Sequence, residues 1–225
     1  MPEPSSIFDM IGPIMVGPSS SHTAAVVRIG YVARRLLGQQ PEEALVTFYN
    51  SFATTYQGHG SDRAVVAGLL GMAPDDERIP QSLTIAAEAG LRLAFRPVAG
   101  ALTLHPNTVR LQLRAPDGQS LDLYGVSRGG GLISIIELDG FQVNFSAQLP
   151  TLVIDADDVK GSIAIISTVI ANDGVNIATM HVARKAKAEL AKMVIEMDQP
   201  LSEVPLAYLR YLPWVHRVIA LEPVP

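Results

Sequence analysis

The sequence predicts an α+β fold in two parts: an N-terminal α+β part with a mostly antiparallel sheet, and a C-terminal βαββαβ unit. Three observations carry this prediction. Apolar residues recur at three- and four-residue steps only in short segments. Alternating β-branched and aromatic runs, punctuated by Asp-Gly pairs, fill residues 91–147. After residue 150 the pattern reads strand, helix, strand, strand, helix, strand.

Taken in order, the first element is a helix over Ala24–Leu37, where Val26, Ile29, Val32, Ala33 and Leu36 share a face and Gly38 marks the stop. "ALVTFYNSFA" (44–53) is β-branched and aromatic and predicts a strand, followed by the glycine-broken loop "TTYQGHGSD". Short helices are expected over 62–70 and 81–89. "LRLAFRPV", "TVRLQLRA", "SLDLYGVS", "LISIIELD" and "FQVNFSA" predict successive strands. Asp117-Gly118 and Asp139-Gly140 between them predict hairpin turns in which both central residues take positive φ. These elements place the first domain at 1–147, and "QLPTLVIDADD" reads as a joint into a second domain at 151–225. That domain reads as strand 151–155, helix 161–173, strands 175–183 and 189–197, helix 202–211 and strand 215–221. Ile163, Ile166 and Ile170 mark the sheet-facing side of its first helix.

Composition excludes several functions. The 225-residue chain carries a net charge of −5 with no basic run, which argues against nucleic-acid binding. Its mean hydropathy of +0.25 and apolar content of 48% are high, yet the longest apolar run, "GSIAIISTVIA", is too short to span a bilayer, and "MPEPSSIFDMIG" has no signal-peptide pattern. No membrane association is expected, and a cytoplasmic location is. The absence of cysteine removes thiol nucleophiles and thiolate metal ligands, so no metal ligand is expected from this chain. The lysines are Lys160, Lys185, Lys187 and Lys192, so the first 159 residues cannot form a Schiff base.

Four constellations remain. In "GPSSSHTAAVVRIG" (17–30), Ser20 or Ser21 can cap the following helix, and the clustered hydroxyls at its positive end can equally hold a carboxylate or phosphate. The two readings coexist, with His22 beside any bound anion. In "GHGSDRAVVAGLLG" (58–71), glycines flank His59, and Ser61 or Asp62 can cap the next helix. An exposed loop histidine and a proton-transferring one fit this pattern alike. "LHPNT" (104–108) places His105 and Asn107 around a proline at a turn. "GVSRGGGLI" (125–133) opens no helix and therefore reads as a glycine-rich strand end or bulge rather than a dinucleotide loop. His181 and His216 fall on strands of the second domain and read as structural or surface residues.

Together "SIFDMIGPIMVGPSSSHTAAVVRIG", "GHGSDRAVVAGLLG", "HPNT" and "GVSRGGG", in this order, resemble the β subunit of the bacterial iron–sulfur L-serine dehydratases, over essentially the whole chain. The resemblance implies a substrate-binding domain followed by an ACT domain of ferredoxin-like fold. It implies an L-serine ammonia-lyase, active with an α subunit whose cysteines hold a [4Fe-4S] cluster, that degrades L-serine to pyruvate and ammonia. Carried onto this sequence, Ser19, Ser20, Ser21, His22 and Thr23 become the substrate-carboxylate loop. His59 becomes the base, with His22 as its alternative, and His105 and Asn107 become further substrate-binding residues. Homodimerisation through the ACT domain also follows from the resemblance. A non-catalytic amino-acid-sensing module is the competing reading, since both domain types also serve as regulatory appendages. Lys160-Gly161 stands where such domains often carry Pro-Gly, and Ala188 or Glu189 stands where a glycine is common. Arg128 in "GVSRGGG" has no physical explanation in the sequence.

Overall fold

In the computed structural model, residues 12–187 and 189–225 are described. The opening of the serine-loop motif, residues 6–11, and Ala188 lie outside them. The chain forms two compact units, one of residues up to Asp139 together with Val224–Pro225, the other of Gly140–Pro223. Among the described residues no helix is long and apolar enough to cross a membrane.

The first unit begins with a π-helical turn, Ser20–Ala24, that continues into α1, Ala25–Leu37. Then come β1 (Glu43–Tyr49), α2 (Ser51–Thr55), α3 (Ser61–Leu69), a 3-10 turn (Ile79–Gln81), α4 (Ser82–Glu88) and β2 (Arg92–Val98). β3 (Thr108–Arg114), β4 (Ser120–Gly129) and β5 (Leu132–Leu138) complete it. The strands lie in the order β2-β1-β3-β4-β5. Only β1 and β2 run parallel, and the crossover that a parallel pair demands is supplied by α2, α3 and α4.

Alternation along the strands builds the core. Val46 and Phe48 of β1, Val109 and Leu111 of β3, and Leu123 of β4 are buried on the face that α1 covers with Val26, Ile29, Ala33 and Leu36. The interlayer distance is short because Gly125 sits under Ile29, where an added Cβ would lie 2.6 Å from the Ile29 side chain. α1 and α3 approach equally closely: a Cβ on Gly68 would come within 2.1 Å of the Val27 carbonyl oxygen, and one on Gly30 within 2.4 Å of that of Val65.

One expected element is corrected. The strand read over 44–53 ends at Tyr49, and Ser51–Thr55 is helical. Asn50 turns the chain at φ 51°, held by its side-chain amide, which donates to the carbonyls of Ala101 at 3.0 Å and Leu104 at 3.2 Å and accepts from Ala101 N–H at 2.9 Å. Phe52, which made the segment look like strand, is buried from the helix instead. Of the two Asp-Gly turns, Asp139-Gly140 has φ of 52° and 79°, as expected. At Asp117-Gly118 only the glycine is positive, because Asp117 Oδ1 accepts from Gln119 N–H in a tight local turn.

The second unit contains β6 (Phe141–Phe145), β7 (Thr151–Asp157), α5 (Ser162–Asn172), β8 (Ile177–Arg184), β9 (Leu190–Met197), α6 (Glu203–Tyr211) and β10 (Val215–Leu221). From β7 onward this is the βαββαβ order, with an antiparallel sheet in the order β10-β7-β9-β8. Leu152, Ile154, Ile166, Ile170, Met193, Ile195 and Leu209 form its core. Ile163, expected beside Ile166 and Ile170, is 48% exposed, and the first turn of α5 buries Ser162 in its place. Lys192 on β9 is buried and paired with Asp155 on β7, with its Nζ also 5.5 Å from the centre of the Phe141 ring.

Candidate active site

The serine loop is shaped by its entry into α1. Ser19 is the residue that caps the helix, its Oγ accepting from His22 N–H at 3.2 Å. This corrects the assignment of the cap to Ser20 or Ser21. The first turn is π-helical, so the helix starts earlier than the apolar spacing indicates and the cap moves back with it. Ser20 and Ser21 are thereby part of the turn. Ser21 Oγ lies 2.9 Å from His22 Nδ1 and 3.3 Å from Ser19 Oγ, so two hydroxyls and one imidazole nitrogen form a continuous polar strip.

His59 meets this strip from the second loop. Its ring centroid is 4.7 Å from that of His22, with the planes tilted by 33°. The edge of Phe52 closes the other side of His22 at 5.0 Å. Burial lowers the His22 pKa from its ordinary value, and the nearby His59 lowers it further, since adjacent cations repel. His22 Nε2 is buried and has no hydrogen-bond partner among the described residues. A polar atom in that state needs a ligand, a water or a partner to satisfy it.

His59 Nδ1 lies 3.3 Å from the Thr55 carbonyl oxygen. A carbonyl only accepts, so Nδ1 carries the proton in this contact, and the neutral ring keeps its lone pair on Nε2. Gly60, at φ 67°, lets the chain reverse from His59 directly into α3. Neither Ser61 nor Asp62 caps α3, contrary to the sequence reading. Ser61 Oγ instead donates to the His22 carbonyl at 2.7 Å, and Asp62 Oδ1 accepts from Arg63 N–H. Thr23 Oγ1 donates to the His59 carbonyl at 3.0 Å.

The other two motifs join through backbone contacts. Ser51 N–H, at the start of α2, donates to the Pro106 carbonyl at 3.0 Å, while Thr55 at the other end of the same short helix receives His59 N–H at 3.0 Å. α2 therefore ties "HPNT" to the His59 loop. Asn107 O accepts from Ser127 N–H at 3.0 Å, which ties "HPNT" to "GVSRGGG". A register shift between Ser127 and Gly129 makes that segment a bulged strand end, as expected. Its last glycine returns to the beginning: a Cβ on Gly131 would lie 2.7 Å from Pro13, and the Gly131 carbonyl accepts from Arg28 Nη1 at 2.6 Å. All four motifs thus form one closed ring of contacts.

Within that ring the structure brings Ser19, Ser21, His22, Thr23 and His59 into direct contact. His105 and Asn107 join through α2 and the bulge rather than by touching the imidazole pair. His105 is exposed over part of its surface, with Nδ1 accepting from Asn107 N–H at 3.2 Å, and its pKa is lowered first by the partial desolvation of its ring and then by Arg128. Sequence reasoning missed Arg28 and the tertiary use of Ser61. The one signal for Arg28 is a cation inside an otherwise apolar helical start. His216 and His181 lie on β10 and β8, His216 Nε2 at 2.8 Å from Asp157 Oδ1. Among the described residues no group of three or more His, Asp or Glu side chains is arranged to hold a metal ion.

A capped helix mouth lined with hydroxyls thus faces paired imidazoles in a chain without cysteine. Residues 6–90 match the family described as serine dehydratase beta chain. The chain is 45% identical over 213 residues to a probable L-serine dehydratase beta chain of Bacillus subtilis, covering 95% of this chain and 96% of that one. It is 34% identical over 198 residues to the L-serine dehydratase beta chain of Peptoniphilus asaccharolyticus, covering 88% and 89% respectively. A third relative, L-serine dehydratase 2 of Escherichia coli, is 31% identical over 178 residues, which cover 69% of this chain and 39% of that protein. The chain belongs to the family of L-serine dehydratase beta chains.

Proposed function

We propose that this chain is the β subunit of an L-serine dehydratase, acting with an α chain to convert L-serine to pyruvate and ammonia. The observation that carries the reading is the meeting of the capped serine loop with His22 and His59, where the buried His22 Nε2 has no partner among the described residues. The hydroxyls of Ser19, Ser20 and Ser21, with the first-turn N–H groups at the positive end of α1, receive the substrate carboxylate. His22, neutral because of its surroundings, orients it. His59 is the base: its Nε2 lone pair takes the Cα proton, the electron pair forms the Cα–Cβ double bond, and the departing β-hydroxyl takes that proton from the His59 imidazolium and leaves as water. The resulting aminoacrylate tautomerises and hydrolyses. His105 and Asn107 border the substrate on the side of the bulged strand.

The donor set of this chain does not fit a [4Fe-4S] cluster, since it holds no cysteine. In our reading cysteines of the α chain would hold the cluster, and the chemistry it would supply there is that of a Lewis acid. The βαββαβ order and antiparallel sheet of the second unit support reading residues 151–225 as a ferredoxin-like ACT domain, through which two copies pair, and 1–147 as the substrate-binding domain. A cytoplasmic location belongs to the same reading.

The test is anaerobic assembly with the α chain and a pyruvate assay on L-serine. His59→Ala is expected to lower kcat by about 10²-fold or more, the scale of a lost general base. Near-normal turnover of that variant would overturn the role of His59, and a cluster-loaded wild-type complex inert toward L-serine would overturn the function.

A further inference from the structure

Two of the hydroxyls around the histidines are spent in a crosswise manner. Thr23, next to His22, donates its hydroxyl to the His59 carbonyl at 3.0 Å, while Ser61, two residues past His59, donates to the His22 carbonyl at 2.7 Å. Both side chains are buried, Thr23 at 2% exposure and Ser61 at 0%. Each loop therefore supplies the donor for the backbone of the histidine on the other loop. The rings sit at 4.7 Å with no hydrogen bond drawn between them, so the distance is not set by the rings themselves.

Burial of these hydroxyls shows what they do not do. The Thr23 proton is committed to a carbonyl, and its backbone N–H donates to the Ser19 carbonyl at 2.8 Å, leaving it no donor for a substrate carboxylate. Ser61 opens α3 without capping it, so its hydroxyl contributes nothing to its own helix. The methyl of Thr23 packs under Gly17, where a Cβ would lie 2.5 Å away, so the clasp also seats the start of the serine loop.

We propose that Thr23 and Ser61 form a reciprocal clasp that sets the spacing of His22 and His59, making both of them positioning residues for the proton transfer. The proposal rests on the dehydratase reading for its effect on catalysis, but the clasp itself is measurable in the full-length chain alone. Burial first, and the neighbouring His59 second, lower the His22 pKa. Releasing the clasp separates the rings and admits water, which moves the His22 titration upward.

The experiment uses Thr23→Val and Ser61→Ala, each hydroxyl removed with little change of shape, and follows the imidazole resonances of the full-length chain by NMR. Both variants are expected to raise the His22 pKa, and Thr23→Ser to restore it. In the assembled enzyme kcat falls by about 10-fold or more with KM for L-serine nearly unchanged, the mark of misplaced groups rather than lost binding. Losses in the double variant are less than additive, because either break opens the same clasp. Should Ser61→Ala fail to fold, Thr23→Val with its Thr23→Ser rescue decides alone. An unmoved His22 titration in a folded Thr23→Val variant overturns the clasp, as does a raised KM in Thr23→Val that Ser61→Ala does not share, which would make Thr23 a substrate contact. A wild-type complex inert toward L-serine leaves the NMR result standing and strikes only the dehydratase reading.

Discussion

His22 resists protonation in the folded chain, and that resistance has a thermodynamic consequence beyond the site. As pH falls below the ordinary histidine value of 6.5, the unfolded chain takes up the proton before the folded one does. Stability is therefore complete above that pH and is lost progressively as pH drops toward the lowered folded-state value. His105 shifts in the same direction and adds to the slope. The carboxylates held low by Arg partners, Glu43 beside Arg92 and Arg114 and Asp76 beside Arg78, act only in a more acid range. Urea midpoints of the full-length chain measured at about pH 7.5 and 5.5 should fall with pH, and His22→Gln should flatten that fall. An unchanged slope would mean that His22 is not the group responsible. At this scale the sequence was legible where chemistry clusters locally: the serine loop and His59 stand out as residue types and spacing. The acceptors of the Thr23 and Ser61 hydroxyls, the carbonyls of His59 and His22, lie 36 and 39 residues away. Residue type alone does not reveal such a partner.

The helices that carry the two histidines are joined at a point of unusual closeness. Gly68 of α3 faces the backbone of α1, where a Cβ would meet the Val27 carbonyl oxygen at 2.1 Å and the Tyr31 nitrogen at 2.6 Å. Both neighbours are backbone, so neither can swing away. Gly68→Ala must force the helices apart and is expected to cost about 3 kcal/mol, at the upper end of overpacking in a dense core. A chemical-denaturation midpoint checks this, and a change below about 0.5 kcal/mol, the scale of an ordinary surface substitution, would contradict it. Periodicity made α1 visible in the sequence with all five of its expected core residues buried. It did not locate the π turn, whose extra residue per turn leaves no mark in the apolar spacing. Nor did it separate β1 from α2, because Phe52 and the aromatic neighbours favour strand by composition. The turn at Asn50 is decided by three hydrogen bonds to residues 101 and 104.

At the scale of the whole molecule, the lack of cysteine is the feature from which the proposed division of labour between two chains starts. If the proposed cluster resides on the α chain, separating an assembled, cluster-loaded complex under anaerobic denaturing-free conditions should leave iron and sulfide with the α chain and none with this one. Iron retained by the isolated β chain would refute that division. The α+β class is legible in the element order, since hairpin signals and the βαββαβ pattern are local. The closed ring linking the serine loop, the His59 loop, "HPNT" and "GVSRGGG" is not, because its hydrogen bonds end on backbone carbonyls, which residue type does not mark. That ring has a consequence for how such a site can be inherited. Both imidazoles lie within the first 60 residues, yet β1, which carries α2 and the His59 loop, is paired on one edge with β2 and on the other with β3, both beyond residue 90. A gene segment encoding only the histidines would bring the chemistry without the sheet that holds it. The site can be transplanted only as an indivisible block extending through Gly131, which makes it a poor candidate for piecemeal recombination.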